Sequence, residues 1–314
     1  MENRMKYTKL GKTDIKISSI THGCMELGGG RWKTLDKETN INLLRTAMEN
    51  GITSFDTAEG YGAGASELIV GEALKACRKD CVIATKVLPD NLHAADVRKA
   101  AEGSLKRLGT DYIDLLYVHW PNVAIPIEET LGEFIKLKEE GKIRAIGVSN
   151  FSLEQIKEAM AIVHIDALQP EYNLLQRKIE DGLLSYCAQN EISVLSYNSI
   201  AKGILSGVFH FGGVKLDLED FRNEKPLFMT DNMKAEVPLL EKLREVAEAH
   251  SATISQVAVA WVIAQNGMSS AIVGTQNAKH FVENIKSVDI ELTEDEIVDL
   301  GSVSNMVIGQ LVGV

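Results

Sequence analysis

The sequence predicts an α/β fold in which eight parallel strands form a closed barrel surrounded by helices, the (β/α)8 architecture. Short β-branched runs alternate with longer segments of helical period, and eight such runs can be counted. The 314 residues are 45% hydrophobic and 25% charged, which supplies enough apolar material for one large core. Because barrels of this class reach this length as one unit, we expect residues 1–314 to form a single domain.

The predicted strands are spaced so that a helix can follow each one. They span residues 20–23, 53–56, 81–86, 113–119, 143–149, 167–169, 192–197 and 271–274. A strand that is followed by a crossover helix returns parallel to its predecessor, so all eight strands are expected to run in one direction.

Helix signals lie between these strands. Apolar residues recur at i+3 and i+4 from Val97 to Leu108, and Gly109 follows as a suitable C-terminal residue. Ser152 can cap the start of a later helix while the Gln155 side chain reaches back to the cap. These signals indicate amphipathic helices that pack on the barrel.

Three segments depart from the alternation. Residues 5–18 have the pattern of a hairpin around a turn at 11–14, and we expect this hairpin to plug the bottom of the barrel. Residues 203–235 are longer than a routine connection, which predicts a lid or cofactor loop over the mouth. The apolar tail at 303–314 is expected to pack on the barrel wall; the alternative is that it turns toward the site or a second subunit.

Composition limits the class of partner. The formal net charge of -11 disfavours nucleic acid and anionic membranes. The sequence has no run of 18 apolar residues and no signal-peptide core. Neither disulfide nor zinc spacing occurs among Cys24, Cys77, Cys81 and Cys187. We expect a cytoplasmic protein, monomeric or homo-oligomeric, that binds a small molecule and no metal.

Polar side chains stand where six of the predicted strands end. Because the C-terminal ends of barrel strands converge on one mouth, these groups should meet there. They are Asp56, Lys86, His119, Ser149 with Asn150, Gln169, and Tyr197.

Each candidate has an ordinary structural explanation when it is considered alone. Asp56 is compatible with a turn or helix-cap residue, and Lys86 with a surface lysine whose stem lies on apolar neighbours. His119 could be a core histidine, and Tyr61 could pack within its glycine-rich loop. All four explanations would have to hold together, whereas one shared site accounts for the four residues at once.

Together, these side chains suit one reaction. A tyrosine with a pKa of about 10 exchanges protons poorly near pH 7 unless a nearby cation stabilises its phenolate. Lys86 is predicted to supply that cation, Asp56 to keep it charged, and His119 to hydrogen-bond a carbonyl oxygen. No side chain donates hydride, so reduction of a carbonyl at this site requires a nicotinamide cofactor.

Several segments resemble the aldo-keto reductases, and the resemblance covers nearly the whole chain. They are FDTAEGYG at 55–62, SLKRLGTDYIDL at 104–115, HWP at 119–121, GKIRAIGVSNF at 141–151 and LQPEYN at 168–173. The resemblance implies a TIM barrel and a catalytic tetrad, with Tyr61 as general acid/base, Lys86 and Asp56 as its tuning pair and His119 as an orienting or relay residue. It also implies reversible reduction of aldehydes and ketones, for which the mix of aromatic and acidic residues in the pocket makes sugar-type carbonyls one candidate class.

The resemblance further implies a dinucleotide site. Ser149, Asn150 and Gln169 would hold the carboxamide, Tyr197 would stack on the ring, and residues 203–207 would meet the pyrophosphate. The residues expected to contact the cofactor are Gly23, Met25, Asp56, Ser149, Asn150, Gln169, Tyr197, Ser199, Gly203, Leu205, Gly207, Gly274, Thr275, Gln276, Lys279, His280, Glu283 and Asn284.

The choice of cofactor depends on the segment after the eighth strand. Relatives often carry Arg or Lys there against the 2'-phosphate, whereas this chain has Lys279 as its one plainly basic residue in that stretch. NADP(H) is favoured by the resemblance, and NAD(H) is the alternative. A second departure is Ser199, where relatives commonly have proline.

The expected substrate pocket mixes aromatic and polar groups. It comprises Glu26, Trp32, Tyr61, His119 and Trp120.

Two other functions are alternatives to a reductase. A regulatory or accessory subunit that binds nicotinamide without catalysis would keep the same residues, whereas a metal-dependent sugar isomerase would need a larger carboxylate and histidine cluster.

Overall fold

The computed structural model describes residues 5–30, 35–275 and 277–314 of the chain. An N-terminal antiparallel hairpin consists of β1 (Tyr7–Lys9) and β2 (Lys16–Ser18). The remaining strands form a closed parallel barrel in chain order, in which the last strand pairs with the first. They are β3 (Ile20–Gly23), β4 (Ser54–Asp56), β5 (Val82–Val87), β6 (Ile113–Val118), β7 (Ile143–Ser149), β8 (Ala167–Gln169), β9 (Ser193–Ser196) and β10 (Met268–Val273).

Helices surround this barrel. They are α1 (Lys37–Glu49), α2 (Ala65–Leu74), α3 (Ala94–Leu108), α4 (Ile127–Glu139), α5 (Leu153–Ile162), α6 (Leu183–Gln189), α7 (Thr230–Ala249), α8 (Ile254–Ala264), α9 (Ala278–Ile285) and α10 (Glu294–Ile308). Ser152 and Gln155 form the predicted capping box of α5. Gly109 ends α3 in a left-handed conformation, as its position predicted.

The hairpin closes the bottom of the barrel. Leu10, Ile15 and Ile17 are buried in one apolar cluster with inward-facing strand residues such as Leu115 and Tyr117. The Gly11 amide donates to Ser193 Oγ, which in turn donates to the Lys9 carbonyl. The predicted plug is therefore confirmed, and the opposite end of the barrel is left to form the site.

A larger apolar cluster fills the layer between barrel and helices. Phe55, Phe134 and Trp261 are among its fully buried side chains. Both faces of the strands are thus covered, which agrees with the nearly continuous apolar runs in the sequence.

Each predicted strand overlaps an observed one, and the differences are at the ends. The last strand begins at Met268, three residues before the predicted start, because its first residues are only half-buried and lack a strong apolar pattern. The fourth predicted strand ends at Val118, so that His119 follows it rather than closing it.

The loop predicted at 203–235 is shorter than expected. Helix α7 begins at Thr230, and the segment before it contains 3₁₀ turns at Ala201–Ser206, Phe221–Glu224 and Pro226–Phe228. The helix was missed because Pro238 lies within it and interrupts the helical signal.

The predicted tail is also shorter, since residues 303–308 belong to α10. The Val312 amide donates to Asn232 Oδ1, and Asn232 Nδ2 donates to the Val312 carbonyl. The tail therefore packs beside the start of α7, and it does not line the cavity described below. In the described part of the chain, no helix combines the length and apolarity needed to cross a bilayer.

Candidate active site

A cavity of about 710 Å³ opens at the C-terminal ends of the strands. This volume lies within the range typical of sites for small molecules and cofactors. Its walls come from the ends of β3, β4 and β7 to β10 and from the loops that follow them. The predicted convergence of polar strand ends on one mouth is therefore observed.

A buried lysine connects three of the predicted side chains. Lys86 Nζ donates to Asp56 Oδ1 at 2.6 Å, to the Thr57 carbonyl at 2.7 Å and to Tyr61 Oη at 3.2 Å. Lys86 is 1% exposed and Asp56 4%. Because an ammonium group is stable in such a place only with fixed partners, this geometry holds the lysine charged against the phenol.

Strand ends on the other side of the barrel complete this network. Gln169 Nε2 donates to Asp56 Oδ2 at 2.7 Å. Tyr197 Oη donates to Asn150 Oδ1 at 2.8 Å, and Asn150 Nδ2 donates to Ser149 Oγ at 3.0 Å. The Asp56 carboxylate is therefore held by a cation on one oxygen and by an amide on the other.

The electrostatics of Tyr61 differ from the sequence-based expectation. Burial raises the pKa of Tyr61 above its ordinary value, while the Lys86 ammonium acts in the opposite direction without overcoming it. Burial also acts to lower the pKa of Lys86, but the Asp56 carboxylate and the Tyr61 phenol outweigh it and raise that pKa. At neutral pH, Tyr61 is thus a neutral phenol beside a charged ammonium group.

His119 lies edge-on to Tyr61, with ring centroids 5.9 Å apart at 79°. Burial, assisted by the Lys86 charge, lowers the pKa of His119 to about 3. Its Nδ1 is buried without a hydrogen-bond partner among the described residues. The imidazole is therefore neutral at physiological pH, and it suits hydrogen bonding to a ligand better than donation of a proton from a cation.

A tight contact fixes the loop that carries Tyr61. A Cβ atom on Gly28 would lie 2.5 Å from the Tyr61 carbonyl carbon, and one on Gly62 would collide with the Gly28 carbonyl. Gly62 also has a φ of 60°, which glycine tolerates best. These glycines allow the turn after β3 to press against Tyr61.

Glu26 projects from the same turn into the cavity. Its carboxylate lies over Gly274, where a Cβ atom would be 2.5 Å from Glu26 Oε2. Burial raises the pKa of Glu26 to about 7. The Glu26 side chain is partly exposed to solvent. Its pKa is therefore raised because the carboxylate lies inside the cavity, and not because it lies in the core.

Most of the residues predicted for the cofactor line this cavity. They are Gly23, Met25, Asp56, Ser149, Asn150, Gln169, Tyr197, Ser199, Gly203, Gly274, Thr275, His280, Glu283 and Asn284. Of the predicted substrate residues, Glu26, Tyr61, His119 and Trp120 do so. Trp32 and Gln276 lie outside the described residues.

Three predicted cofactor residues do not line the cavity. Leu205 is fully buried in the core cluster. Gly207 packs against Ile254, where a Cβ atom would be 2.9 Å from Cδ1. Lys279 is exposed near the start of α9, where its backbone amide donates to Asn277. The sequence predicted the segments, but packing decides which residues of each segment face the cavity.

Other residues reach the cavity without having been predicted. They include Asn198, Ile200, Lys202, Thr253 and Ser255, whereas Ser206, Val208, Phe209 and Arg222 belong to the predicted loop at 203–235. Thr253 had a detectable signal, because Thr253 and Gln256 form a capping box at the start of α8. Lys202 and Arg222 had none, since irregular loops give no periodicity from which direction can be inferred.

Three non-glycine residues with left-handed backbone line the same cavity. Among the residues lining it, Asn150, Asn198 and Lys202 have φ of 62°, 60° and 54°. Such conformations cost about 1–3 kcal/mol each in non-glycine residues and tend to occur at functional sites. The loops over the mouth are therefore held in conformations that ordinary connections avoid.

Cationic and aromatic side chains both line the cavity. Lys202, paired with Glu171, and Arg222, paired with Asp220, supply the cations, and Tyr197 supplies an aromatic ring. The His119 imidazole lines the cavity beside Tyr61. These donors suit a dinucleotide. No group of three or more His, Cys, Asp or Glu side chains suited to a metal occurs within the described ranges.

The fold and cavity together define the class of protein, a (β/α)8-barrel enzyme with its site at the C-terminal ends of the strands. A model of the Aldo/keto reductase family matches residues 19–305. The chain therefore belongs to the aldo/keto reductase family and is an oxidoreductase.

Individual relatives agree with this assignment. The chain is 38% identical to aldo-keto reductase YhdN of Bacillus subtilis over 287 residues, which cover 87% of this chain and 85% of that protein. It is 34% identical to an NADH-specific methylglyoxal reductase of Escherichia coli over an alignment of 318 residues. The alignment covers 92% of this chain and 95% of that protein.

Solved structures extend the likeness to three dimensions. A glycerol dehydrogenase from Gluconobacter oxydans superposes with a TM-score of 0.86 at 29% identity and covers 99% of this chain and 97% of its own. An aldo-keto reductase from Klebsiella pneumoniae in complex with NADPH has a TM-score of 0.78 at 29% identity, with 95% of each chain covered.

Proposed function

We propose that this protein reduces aldehydes and ketones to alcohols with a nicotinamide dinucleotide, reversibly, and that Tyr61 is its general acid/base. The observation that carries the proposal is the contact of a buried Lys86, at 2.6 and 3.2 Å, with Asp56 and Tyr61, both of which line the cavity.

In this proposal, Tyr61 gives its proton to the oxygen of the substrate carbonyl. Because the pKa of Tyr61 is raised by burial, the phenol is fully protonated at neutral pH. The phenolate that remains after transfer lies 3.2 Å from the Lys86 ammonium. Lys86 thus stabilises the charge that develops during the reaction more than the state before it, which is how a fixed charge accelerates a step.

His119 is assigned to orient the same oxygen. Its neutral imidazole, with a pKa of about 3, can donate one hydrogen bond, and His119 lines the cavity. The edge-on placement beside Tyr61 puts both donors at one end of the cavity. Asp56 acts through Lys86, and Gln169 fixes the second Asp56 oxygen.

A bound nicotinamide would supply the hydride that no side chain can provide. Ser149, Asn150, Gln169 and Tyr197 are proposed to hold its ring end, because these polar strand ends line the cavity near Asp56. Lys202 and Arg222 are proposed to face the phosphates. The adenosine end is assigned to Thr275, His280, Glu283 and Asn284.

NADP(H) is the favoured cofactor, and NAD(H) is the alternative. A relative from Klebsiella pneumoniae was crystallised with NADPH, whereas a relative from Escherichia coli is named as NADH-specific. At the proposed adenosine end, Lys279 is exposed, and Glu283 contributes an acidic group that a 2'-phosphate does not favour.

Small oxygenated carbonyl compounds are the proposed substrates. Trp120 and Glu26 line the cavity beside Tyr61 and combine an apolar face with a polar group. The named activities of two relatives concern glycerol and methylglyoxal, which are small and oxygen-rich. A panel of aldehydes, ketones and polyols, followed by nicotinamide absorbance with NADPH and NADH in parallel, tests both substrate class and cofactor.

Replacement of Tyr61 by Phe separates a reductase from a nicotinamide-binding accessory subunit. The Tyr61→Phe protein should bind dinucleotide as the wild type does, but kcat should fall by about 10²- to 10⁴-fold because the proton donor is lost. Tyr186→Phe, which removes a phenol outside the cavity, is the matched control and should leave kcat unchanged. Full turnover by the Tyr61→Phe protein would contradict the assignment.

A further inference from the structure

Two buried ionisable side chains connect the loop at residues 206–212 to helix α7. His210 Nε2 lies 3.2 Å from Glu236 Oε2, and the two side chains are 5% and 0% exposed. His210 Nε2 also lies 3.0 Å from the Met233 carbonyl oxygen. The contact with Glu236 is close but poorly aligned, because neither Glu236 oxygen has a well-formed hydrogen bond to the described residues.

Burial without such a bond makes an ionised Glu236 costly. Burial raises the pKa of Glu236, and His210 opposes that effect. Other charged groups lie against the rings of the same loop. The Arg244 guanidinium is 3.5 Å from the Phe211 ring centroid, and the Arg222 guanidinium is 5.4 Å from that of Phe209. His210 is therefore the partner that can neutralise Glu236, through one proton held between them.

The pair adjoins the wall of the cavity. Val208 and Phe209, the two residues before His210, both line it, as does Ser206. The His210 and Phe211 amides donate to the Gly207 carbonyl at 3.1 and 2.8 Å, which makes this stretch one compact turn. A displacement of His210 from α7 would therefore move the cavity wall with it.

We propose that His210 and Glu236 form a proton-sharing pair that docks residues 206–212 on α7 and thereby sets the affinity of the cavity for its dinucleotide. The two are positioning residues, since neither lines the cavity. The identity of the ligand rests on the proposed function, whereas the docking itself does not.

Docking by this pair depends on pH. The docked pair holds one proton. In water, a histidine with a pKa near 6.5 and a glutamate near 4.3 hold none between them above about pH 7. Docking then takes up one proton, so the docking equilibrium weakens as pH rises, by up to about tenfold per pH unit.

Hydrogen exchange of the ligand-free protein tests the docking. After correction for intrinsic rates, protection of the amides at 210–212 in the wild type should fall between pH 7 and pH 9. In Glu236→Gln, which needs no proton to be neutral, protection should be independent of pH. Glu241→Gln, an exposed carboxyl on the same helix, should behave as the wild type.

His210→Gln provides a second variant, in which Glu236 loses its proton partner. Its exchange at 210–212 should be faster than that of the wild type at pH 7. Protection that is independent of pH in the wild type, or an equal slope in Glu236→Gln, would overturn the proposal.

Titration with NADPH then tests the link to the cavity. The dissociation constant of the wild type should rise with pH more steeply than that of Glu236→Gln, while equal slopes would refute control of affinity by this pair. If hydrogen exchange depends on pH as expected but no dinucleotide binds, the proposed function is wrong, whereas the docking of residues 206–212 by His210 and Glu236 is supported.

Discussion

At the scale of single residues, the chemistry of the site depends on which side chains are charged and which are neutral at physiological pH. Lys86 is charged because Asp56 and Tyr61 surround it, whereas His119 is neutral because burial and the same lysine act against its protonation. Tyr61 retains its proton until a reaction removes it. At one pH, one of these three neighbouring groups is thus charged and two are neutral, which divides the roles of cation, acid and hydrogen-bond donor among them.

Glu26 predicts the pH dependence of ligand binding near neutrality. Since the pKa of Glu26 is about 7 in the folded protein, the carboxyl is mostly neutral below that pH and charged above it. Ionisation in the cavity repels an anionic dinucleotide, so the NADPH dissociation constant should rise about three- to tenfold from pH 6 to pH 8.

The Glu26→Gln protein should lose this contribution and keep whatever dependence His210 and Glu236 provide. Glu38→Gln, an exposed carboxyl on α1, serves as the control. Isothermal titration at several pH values measures the effect. An unchanged slope in Glu26→Gln would mean that the carboxyl does not face the bound anion.

At the scale of elements, loops carry the parts of the site that the strands do not. The strand ends supply Asp56, Lys86 and Gln169 in fixed directions, because their pairing in the barrel leaves no freedom. Lys202 and Arg222 come from the segment between β9 and α7, which is held by short turns, left-handed backbone and the C-terminal tail.

Asn232 is the residue through which the tail holds this segment. It is 2% exposed, and its Nδ2 donates to the carbonyls of Pro226 and Val312. Asn232→Ala should destabilise the protein by about 1–3 kcal/mol because the hydrogen bonds of the Asn232 side chain to Pro226 and Val312 are lost. The tail should also become more sensitive to carboxypeptidase.

Urea unfolding and a digestion time course check this prediction. Asn305→Ala, on the exposed face of α10, is the control and should stay within about 0.5 kcal/mol of the wild type. Equal stability and equal digestion of both variants would show that the contact with Asn232 is not what retains the tail.

At the scale of the whole molecule, the hairpin that stabilises the barrel and the cavity that forms the candidate active site lie at opposite ends. The hairpin fills the bottom, and the cavity opens at the top. Leu10 is fully buried in the bottom cluster. Leu10→Ala should therefore lower the free energy of unfolding by about 2–5 kcal/mol through the cavity that it leaves.

The same substitution should leave the dinucleotide affinity of the folded protein unchanged, because no hairpin residue lines the cavity. Chemical denaturation and NADPH titration of one preparation give both numbers. Thr8→Ala, an exposed position in the same hairpin, controls for the loss of side-chain atoms. A weakened affinity in Leu10→Ala would show that the two ends are coupled.

The sequence by itself determined the barrel, the hairpin plug and the polar strand ends at Asp56, Lys86 and Gln169. Alternation of apolar runs with helical period is a local pattern, and parallel strands in a barrel leave their C-terminal residues only one common place to meet. Tertiary structure alone decided the protonation of Tyr61 and His119, the burial of Leu205, the arrival of Lys202 and Arg222 at the cavity and the pairing of His210 with Glu236. These features depend on burial and on contacts between segments that are distant in the chain. The spacing of residues in the sequence predicts neither.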